Sequence, residues 1–440
     1  MSLSLPILSL ALLASPAAAA PEGDGDPRVV RLLENISEER LGQTVRTLAG
    51  FGTRHTLSSP DTPGKGIGAA RQWIFAELKK SPRLQVDFDV FPVTKQGERL
   101  PRDVELRNVV AILPGRSPRR VYVSGHYDSV ARPAGSAAFE WSHGDLPAPG
   151  ANDDGSGTAL MMELARVFAD SGLEFDATLV FAAFAGEEQA LVGSSLHARK
   201  AAEEKRRIDA VLNNDIIGNV TGGDGIVDSS GLRVFSEGPE DSPSRALARF
   251  IRRQAALYVP GHGVRLVARY DRFGRGGDHT PFNQQGYAAV RFSESKENYS
   301  RQHTVDDTPD NVSAAYLARN ARVNAAAAAV LALAPPAPEV ADERRTLLGR
   351  GAGGYDAQLR WKASPGAVGY RIFWREAWAP DWEHERAVGA VTEFVLPGVS
   401  IDNQVFGVAA VGPGGVESLV SSYVYAPRPA FQSSPPASAP

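Results

Sequence analysis

The chain has 440 residues, with 47 lysines and arginines against 51 aspartates and glutamates, a formal net charge of −4, and no cysteine. That length calls for more than one domain, and 43% hydrophobic with 22% charged residues is an ordinary globular composition that excludes a largely disordered chain. The charge balance, with no dense basic run, excludes nucleic acid as the main partner. The missing cysteines exclude disulfides, thiolate metal ligands and a cysteine nucleophile, so any metal must be held by His, Asp and Glu.

Residues 1–20, MSLSLPILSLALLASPAAAA, read as a secretory signal peptide. The run is short for a membrane span and ends in the small residues that a cleavage site needs, although it lacks the usual basic start. Nothing later approaches about 18 uninterrupted apolar residues. The expectation is a secreted or periplasmic protein with no membrane span once the signal is removed. Residues 21–335 form the expected catalytic domain, in which helical patterns at 67–80, 156–169, 244–256 and 313–333 alternate with strand-like runs at 108–113, 120–124, 178–183, 210–213 and 288–292. Such alternation produces an α/β fold with helices on both faces of a sheet. The Pro-rich segment around 336–344 reads as a semi-rigid linker. Short alternating segments at 358–361, 369–374, 393–396, 404–410 and 418–424 then predict a small all-β sandwich over 345–428, followed by a disordered Pro- and Ser-rich tail at 429–440. The runs LRWKASPGAVGYRIFWRE, VTEFVLPGV and NQVFGVAAVGPGGVESLVS resemble a fibronectin type III domain, with Trp361 at the usual core position of the second strand and Phe406 where many such domains carry Tyr.

The chemistry-bearing residues sit at the ends of the apolar runs. The strand ending in Ser124-Gly125 delivers His126 and Asp128, two residues apart and so on similar sides of the backbone. A ligating imidazole needs its other nitrogen fixed by an acceptor, which makes His126 a candidate ligand and Asp128 the group that orients it. The turn PGANDDGSG brings Asp153 and Asp154 to the start of a helix, where an acidic residue also serves as an ordinary cap. The next strand runs into Glu187 and Glu188, whose side chains diverge, so that one can ligate a metal while the other stays free as a general base. Asp215 and His303 close the series. One His or carboxylate at each of several strand ends is the placement that open α/β sheets use for ligand sites.

With SGHYD, PGANDDGSG, FAGEE, NND and QHT in this order over about residues 40–333, the chain resembles the co-catalytic di-zinc aminopeptidases of metallopeptidase family twenty-eight. The resemblance implies a three-layer αβα sandwich of the zinc exopeptidase type, with a mixed, largely parallel central sheet, and two Zn²⁺ per chain. It assigns one ion to His126, Asp153 and Asp215 and the other to Asp153, Glu188 and His303, with Asp153 bridging. Glu187 matches the general base that activates a bridging hydroxide, Asp128 the partner of His126, and the Asp153–Asp154 peptide is expected to be cis. Two zinc ions balance the charge of Asp153, Glu188, Asp215 and the hydroxide. The implied substrates are peptides with a free N-terminus. Nothing in the pattern sets side-chain preference or oligomeric state.

Where several relatives place a Tyr before the last His, this chain has Gln302, with Tyr299 four residues before His303. The oxyanion donor is therefore open. His279, in GDHTPF, is expected to play a supporting or substrate-side part, whereas His55, His143, His197, His262 and His384 lack carboxylates at comparable spacing and read as surface or structural. Three alternatives fit less of the pattern. A glutaminyl cyclase-like acyltransferase would keep a single zinc. A carboxypeptidase on the same fold would need a cationic pocket, for which Arg272 and Arg275 are the nearby candidates. A non-catalytic binding protein would have lost its metals, yet every ligand position here is filled.

Overall fold

In the computed structural model residues 25–343 and 345–424 are described, so the expected signal peptide and the tail at 429–440 lie outside them. Three N-terminal helices, α1 (Pro27–Glu34), α2 (Glu38–Gly50) and α3 (Gly66–Leu78), precede the hairpin β1 (Gln85–Val93) and β2 (Val104–Leu113). The chain then alternates through β3 (Ser117–His126), α4 (Gly155–Asp170), β4 (Ala177–Phe184), α5 (Val192–Glu203), β5 (Ile208–Asn214), β6 (Gly231–Ser236), α6 (Pro243–Tyr258), β7 (Gly263–Val267), α7 (His279–Gln284), β8 (Ala289–Glu294) and α8 (Ala314–Leu333). Side chains from Asp26, Ser37, Asp154, Ser242 and Ser313 accept a backbone N–H at the starts of α1, α2, α4, α6 and α8, satisfying donors that the helices cannot satisfy themselves. No helix among the described residues is long and apolar enough to cross a membrane.

The eight strands form one mixed sheet in the order β1-β2-β4-β3-β5-β8-β6-β7. Its middle strands, β4, β3, β5 and β8, run parallel, while β1, β2 and β6 join antiparallel. β4 is buried along its whole length because helices cover both faces. Its side chains alternate: Leu179, Phe181 and Ala183 enter the large core shared with α2, α4 and α8, whereas Val180, Ala182 and Phe184 enter a smaller core with Ala198 and Ala201 of α5 and Phe282 of α7. The result is the three-layer αβα sandwich, with the C-terminal ends of β3, β4, β5 and β8 on one edge.

Beyond α8 the strands β9 (Leu348–Gly349), β10 (Asp356–Arg360), β11 (Gly369–Glu376), β12 (His384–Gly389), β13 (Glu393–Ser400), β14 (Gln404–Val411) and β15 (Ser421–Ser422) make two small antiparallel sheets, β13-β10-β9 and β12-β11-β14-β15. Trp361, Tyr370, Ile372, Phe406 and Val408 fill the space between them. Glu339 and Val340, within the expected linker, are tied into this unit, since Lys362 N–H donates to the Glu339 carbonyl and Leu347 N–H to that of Val340. The two units are also fastened to one another. Val416 belongs to the large apolar core, Arg249 of α6 donates to the Pro380 carbonyl at 2.7 Å, and the buried Arg375 pairs with Asp241 at 2.7 Å.

Candidate metal centre

His126 is the last residue of β3, Glu187 and Glu188 follow the end of β4, and Asp215 follows β5, so parallel pairing carries three chain-distant segments to one edge. Asp153 arrives on the loop before α4 and His303 on the loop after β8. Each residue singled out in the sequence is at this edge, and two groups come together there: His126, Glu187 and Asp215, and Asp153, Glu188 and His303. Asp153 spans both imidazoles. One of its oxygens lies 3.3 Å from His126 Nε2 and the other 3.0 Å from His303 Nε2. Glu188 is 3.2 Å from His303 Nε2, and Asp215 is 3.8 Å from His126 Nε2.

The surrounding backbone is held by further carboxylates. Asp128 accepts from the N–H groups of Glu187 and Glu188, both at 3.2 Å, so it fixes the turn that carries them. Toward His126 Nδ1 its carbonyl is nearer, at 3.2 Å, than its carboxylate, at 3.5 Å. Asp154 caps α4 through Gly157 N–H and accepts from His126 N–H at 3.0 Å. The Asp153–Asp154 peptide is cis. The Glu187 turn is built from left-handed residues, Gly186, Ala190 and Leu191, the last two with φ of 73° and 62°.

Electrostatically the site is an excess of carboxylate. Burial pushes the Glu187 carboxyl well above its usual range, helped by Asp215 and Glu188 and opposed by His126. Burial also acts on the imidazoles, against their charge, but Glu187 with Asp128, Asp153 and Asp215 outweighs it at His126, and Glu188 with Asp153 at His303, so both are held well above an ordinary histidine. Burial carries Asp278, beside this group, to about 7. Three atoms test whether a cation fits. His126 Nε2, Glu188 Oε1 and Asp215 Oδ1 are sealed from solvent without a hydrogen-bond partner, a costly state for polar atoms that a divalent ion would relieve. A His and carboxylate donor set suits zinc and its first-row neighbours.

Several residues at the site had no motif to reveal them. Arg54, fully buried, donates to the carbonyls of Tyr127, Leu48, Pro149 and Gly150 and so stitches the β3 end to the Asp153 loop. Asp307 accepts from Asn152 and Asp153 N–H, both at 2.9 Å. Arg291, fully buried on β8, pairs with Asp215 at 3.0 Å and with Asp271 at 3.1 Å. Tyr299 is 58% exposed, and no hydrogen bond or ring contact among the described residues joins it to the cluster. His279 is buried with Nε2 2.7 Å from the Tyr270 carbonyl, away from the cluster. His197 does have a carboxylate partner, Asp89 at 2.7 Å, but it comes from 108 residues away and spacing could not reveal it.

The strand ends of this α/β sheet thus gather imidazoles and carboxylates in two groups that could hold metal ions. The family model described as peptidase family M28 matches residues 108–328. A probable zinc metalloprotease of Pyricularia oryzae is 39% identical over 429 residues, covering 88% of this chain and 82% of that protein. One of Leptosphaeria maculans is 37% identical, covering 92% and 97%. The chain belongs to peptidase family M28. In fold it is similar to the LapA aminopeptidase of Legionella pneumophila, with TM-score 0.54 and 20% identity over 74% of this chain and 80% of that one. It is also similar to an Acidobacteriales bacterium glutaminyl cyclase, with TM-score 0.51 and 18% identity over 73% and 97%.

Proposed function

We propose that this chain is a secreted zinc aminopeptidase that removes N-terminal residues from peptides and uses two zinc ions. The observation that carries the reading is Asp153, which offers one oxygen to each of two imidazoles. His126, Asp153 and Asp215 would hold one ion, and Asp153, Glu188 and His303 the other. When bound, such ions supply Lewis acidity that polarises a scissile carbonyl and lowers the pKa of water. Glu187, half-buried and free of a ligating partner in this scheme, takes the proton of the attacking water and hands it to the departing amine. Asp128 keeps Glu187 and Glu188 in their separate places by holding both backbone N–H groups. A protonated N-terminus finds its complement in the surrounding carboxylates. His126 beside Asp153 and Asp215 favours two ions over a single-zinc cyclase.

The remaining parts follow from the same reading. Residues 1–20 export the chain, 21–335 form the catalytic unit, 336–344 connect it, and 345–428 form a fibronectin type III-like module, supported by seven strands in sheets of three and four around Trp361. The test is hydrolysis of amino-acyl anilides beside N-blocked peptides, before and after chelation, with metal analysis of the same samples. Free-amine substrates alone should be cleaved, chelation should abolish cleavage, and zinc should restore it. Full activity after verified metal removal, or equal cleavage of blocked peptides, would sink the proposal. One metal per chain with cyclisation of N-terminal Gln would favour the cyclase.

A further inference from the structure

The rim of the metal centre carries arginines whose charges are unclaimed. Arg272, a sequence candidate for an anion pocket, is not among them: it is buried and spent on Asp271 at 3.0 Å and Glu297 at 3.1 Å. Arg275 and Arg132 are different. Both are half-buried, and neither has a carboxylate within ion-pair distance among the described residues. Both bond to one residue, Arg275 Nη1 to Gln302 Oε1 at 3.3 Å and Arg132 Nη2 to the Gln302 carbonyl at 3.4 Å. Gln302 is the position where the motif departs from its relatives, and it directly precedes His303.

Arg132 is held in place before any ligand arrives. Its N–H donates to the His303 carbonyl at 2.9 Å, and its guanidinium lies 5.6 Å from the centre of the Phe139 ring. Phe139 stacks on Trp141 at 4.7 Å and meets the His303 ring edge-on at 5.5 Å. Arg99 closes the far end of the stack, 5.0 Å from Trp141, and bonds to the Glu188 carbonyl. This ladder of Arg132, Phe139, Trp141 and Arg99 runs from the His303 side of the centre to the Glu188 side. Ring faces are already occupied within it, so it acts as a wall that fixes guanidinium positions rather than as a free stacking platform. Arg275 lies within electrostatic reach of the centre, where Asp153, Asp215, Glu297 and Glu188 together outweigh burial and hold its charge. Zinc ions that neutralise those carboxylates would leave Arg275 and Arg132 as uncompensated cations with spare N–H donors in a fixed fork.

We infer that Arg275 and Arg132 form a carboxylate-binding pair beside His303, so that the enzyme prefers substrates carrying a carboxylate one residue past the scissile bond. The inference rests on the aminopeptidase reading. One extended residue spans about 3.3–3.6 Å, which puts either the C-terminus of a dipeptide or an acidic side chain at that distance from the reacting carbonyl. The chemistry is the same for both sources, and the experiment separates them. On the zinc-loaded full chain, kcat and KM are measured for leucylglycine against leucylglycinamide, and for leucyl-aspartyl amide against leucyl-asparaginyl amide. The anionic member of at least one pair should be preferred about tenfold to a hundredfold, mainly through KM, as expected for a charge-assisted contact. Preference in the first pair identifies a short-peptide enzyme, and in the second an acidic-residue subsite.

Arg275→Gln and Arg132→Gln should each reduce that preference at least several-fold, and Arg275→Lys should keep part of it. Phe139→Leu, which leaves both guanidiniums but removes the stack under Arg132, should give an intermediate ratio. If the wild-type protein prefers neither anion, or the preference survives Arg275→Gln and Arg132→Gln unchanged, the inference is overturned. Should neither the four compounds nor any of the amino-acyl anilides be hydrolysed, the aminopeptidase reading fails instead. Calorimetric binding of the same compounds to zinc-loaded Glu187→Gln then decides the anion pair alone: tighter anion binding supports it and equal binding overturns it.

Discussion

Two charge-rich regions of this molecule are built on opposite rules. At the candidate metal centre Asp128, Asp153, Glu187, Glu188, Asp215 and Asp278 crowd together around two imidazoles. At the seam between α6 and the β-sandwich, charges of opposite sign pair off: Arg375 with Asp241, Arg371 with Glu417 at 2.6 Å and Glu385 at 3.0 Å, Arg253 with Glu417 at 3.3 Å, and Arg252 with Asp381. Arg249 and Arg375 also lie over the Trp382 ring. The seam balances its charges and therefore holds two units together, whereas the centre carries an excess of carboxylate that suits a cation. Density of charge alone distinguishes nothing; the sign balance does.

The sharpest way to break this contrast is to separate Glu187 from Glu188. Glu187→Gln should retain metal while kcat falls by roughly two to four powers of ten, the worth of general acid-base catalysis. Glu188→Gln should lose metal together with activity. Metal analysis of the two purified variants checks this, and the opposite pattern would exchange their roles. Chelation should also lower the melting temperature, because an ion that binds only the folded chain stabilises it; an unchanged melting curve would mean that the centre needs no ligand to offset its crowding.

The seam makes the next largest demand. A chain truncated near residue 340 should fold poorly or melt far lower, since Val416 leaves the large core, Asp241 loses Arg375 and Arg249 loses the Pro380 carbonyl. Within the full chain Arg375→Ala should cost up to about 3 kcal/mol by leaving Asp241 only the longer contact to Arg249, at 3.6 Å, read from denaturant midpoints at constant m-value. Arg291 stands where the two rules meet, paired yet beside a proposed ligand. Arg291→Met should weaken metal binding roughly tenfold to a hundredfold by freeing Asp215, measured by competition with a metal indicator; unaltered affinity would make it a purely structural pair.

The smallest effect concerns pH. Burial opposes ionisation of Asp89, but hydrogen bonds from His197 and Lys200 overcome it and set its pKa below the ordinary value. A depressed carboxylate stabilises the fold at pH above its unfolded pKa of about 3.9, and that contribution is lost as pH falls through the folded value. Asp89→Asn should therefore flatten the stability curve below about pH 4 and lower it above. A parallel curve for wild type and variant would show that the pair contributes nothing.

Legibility of the sequence tracked the range of the interaction. β3, β4, β5, β8 and α8 announce themselves because their apolar pattern is continuous, and the metal-centre residues because each closes such a run. α1, α2, α5, β6, β7 and β12 do not: they are short or exposed on one side, and their place is set by what they pack against. Arg54 bonds to carbonyls, which any residue type carries, so no sequence partner marks it. Asp307 and Arg291 likewise meet backbone or residues far away along the chain. The seam was illegible for the same reason, since Arg252 and Arg253 of α6 meet their acidic partners across a boundary that composition made look like a break.

The turn carrying Glu187 has one further consequence. Ala190 and Leu191 both take left-handed backbone angles that a side chain makes unfavourable by about 1–3 kcal/mol. Leu191 N–H returns to the Glu187 carbonyl at 2.8 Å and Val192 N–H to that of Gly186 at 2.9 Å, so the contorted loop is closed rather than loose. Anyone hardening this protein against heat would find here residues ready for glycine, and would be altering the platform on which the proposed base stands. Durability and chemical placement compete for the same few peptide bonds.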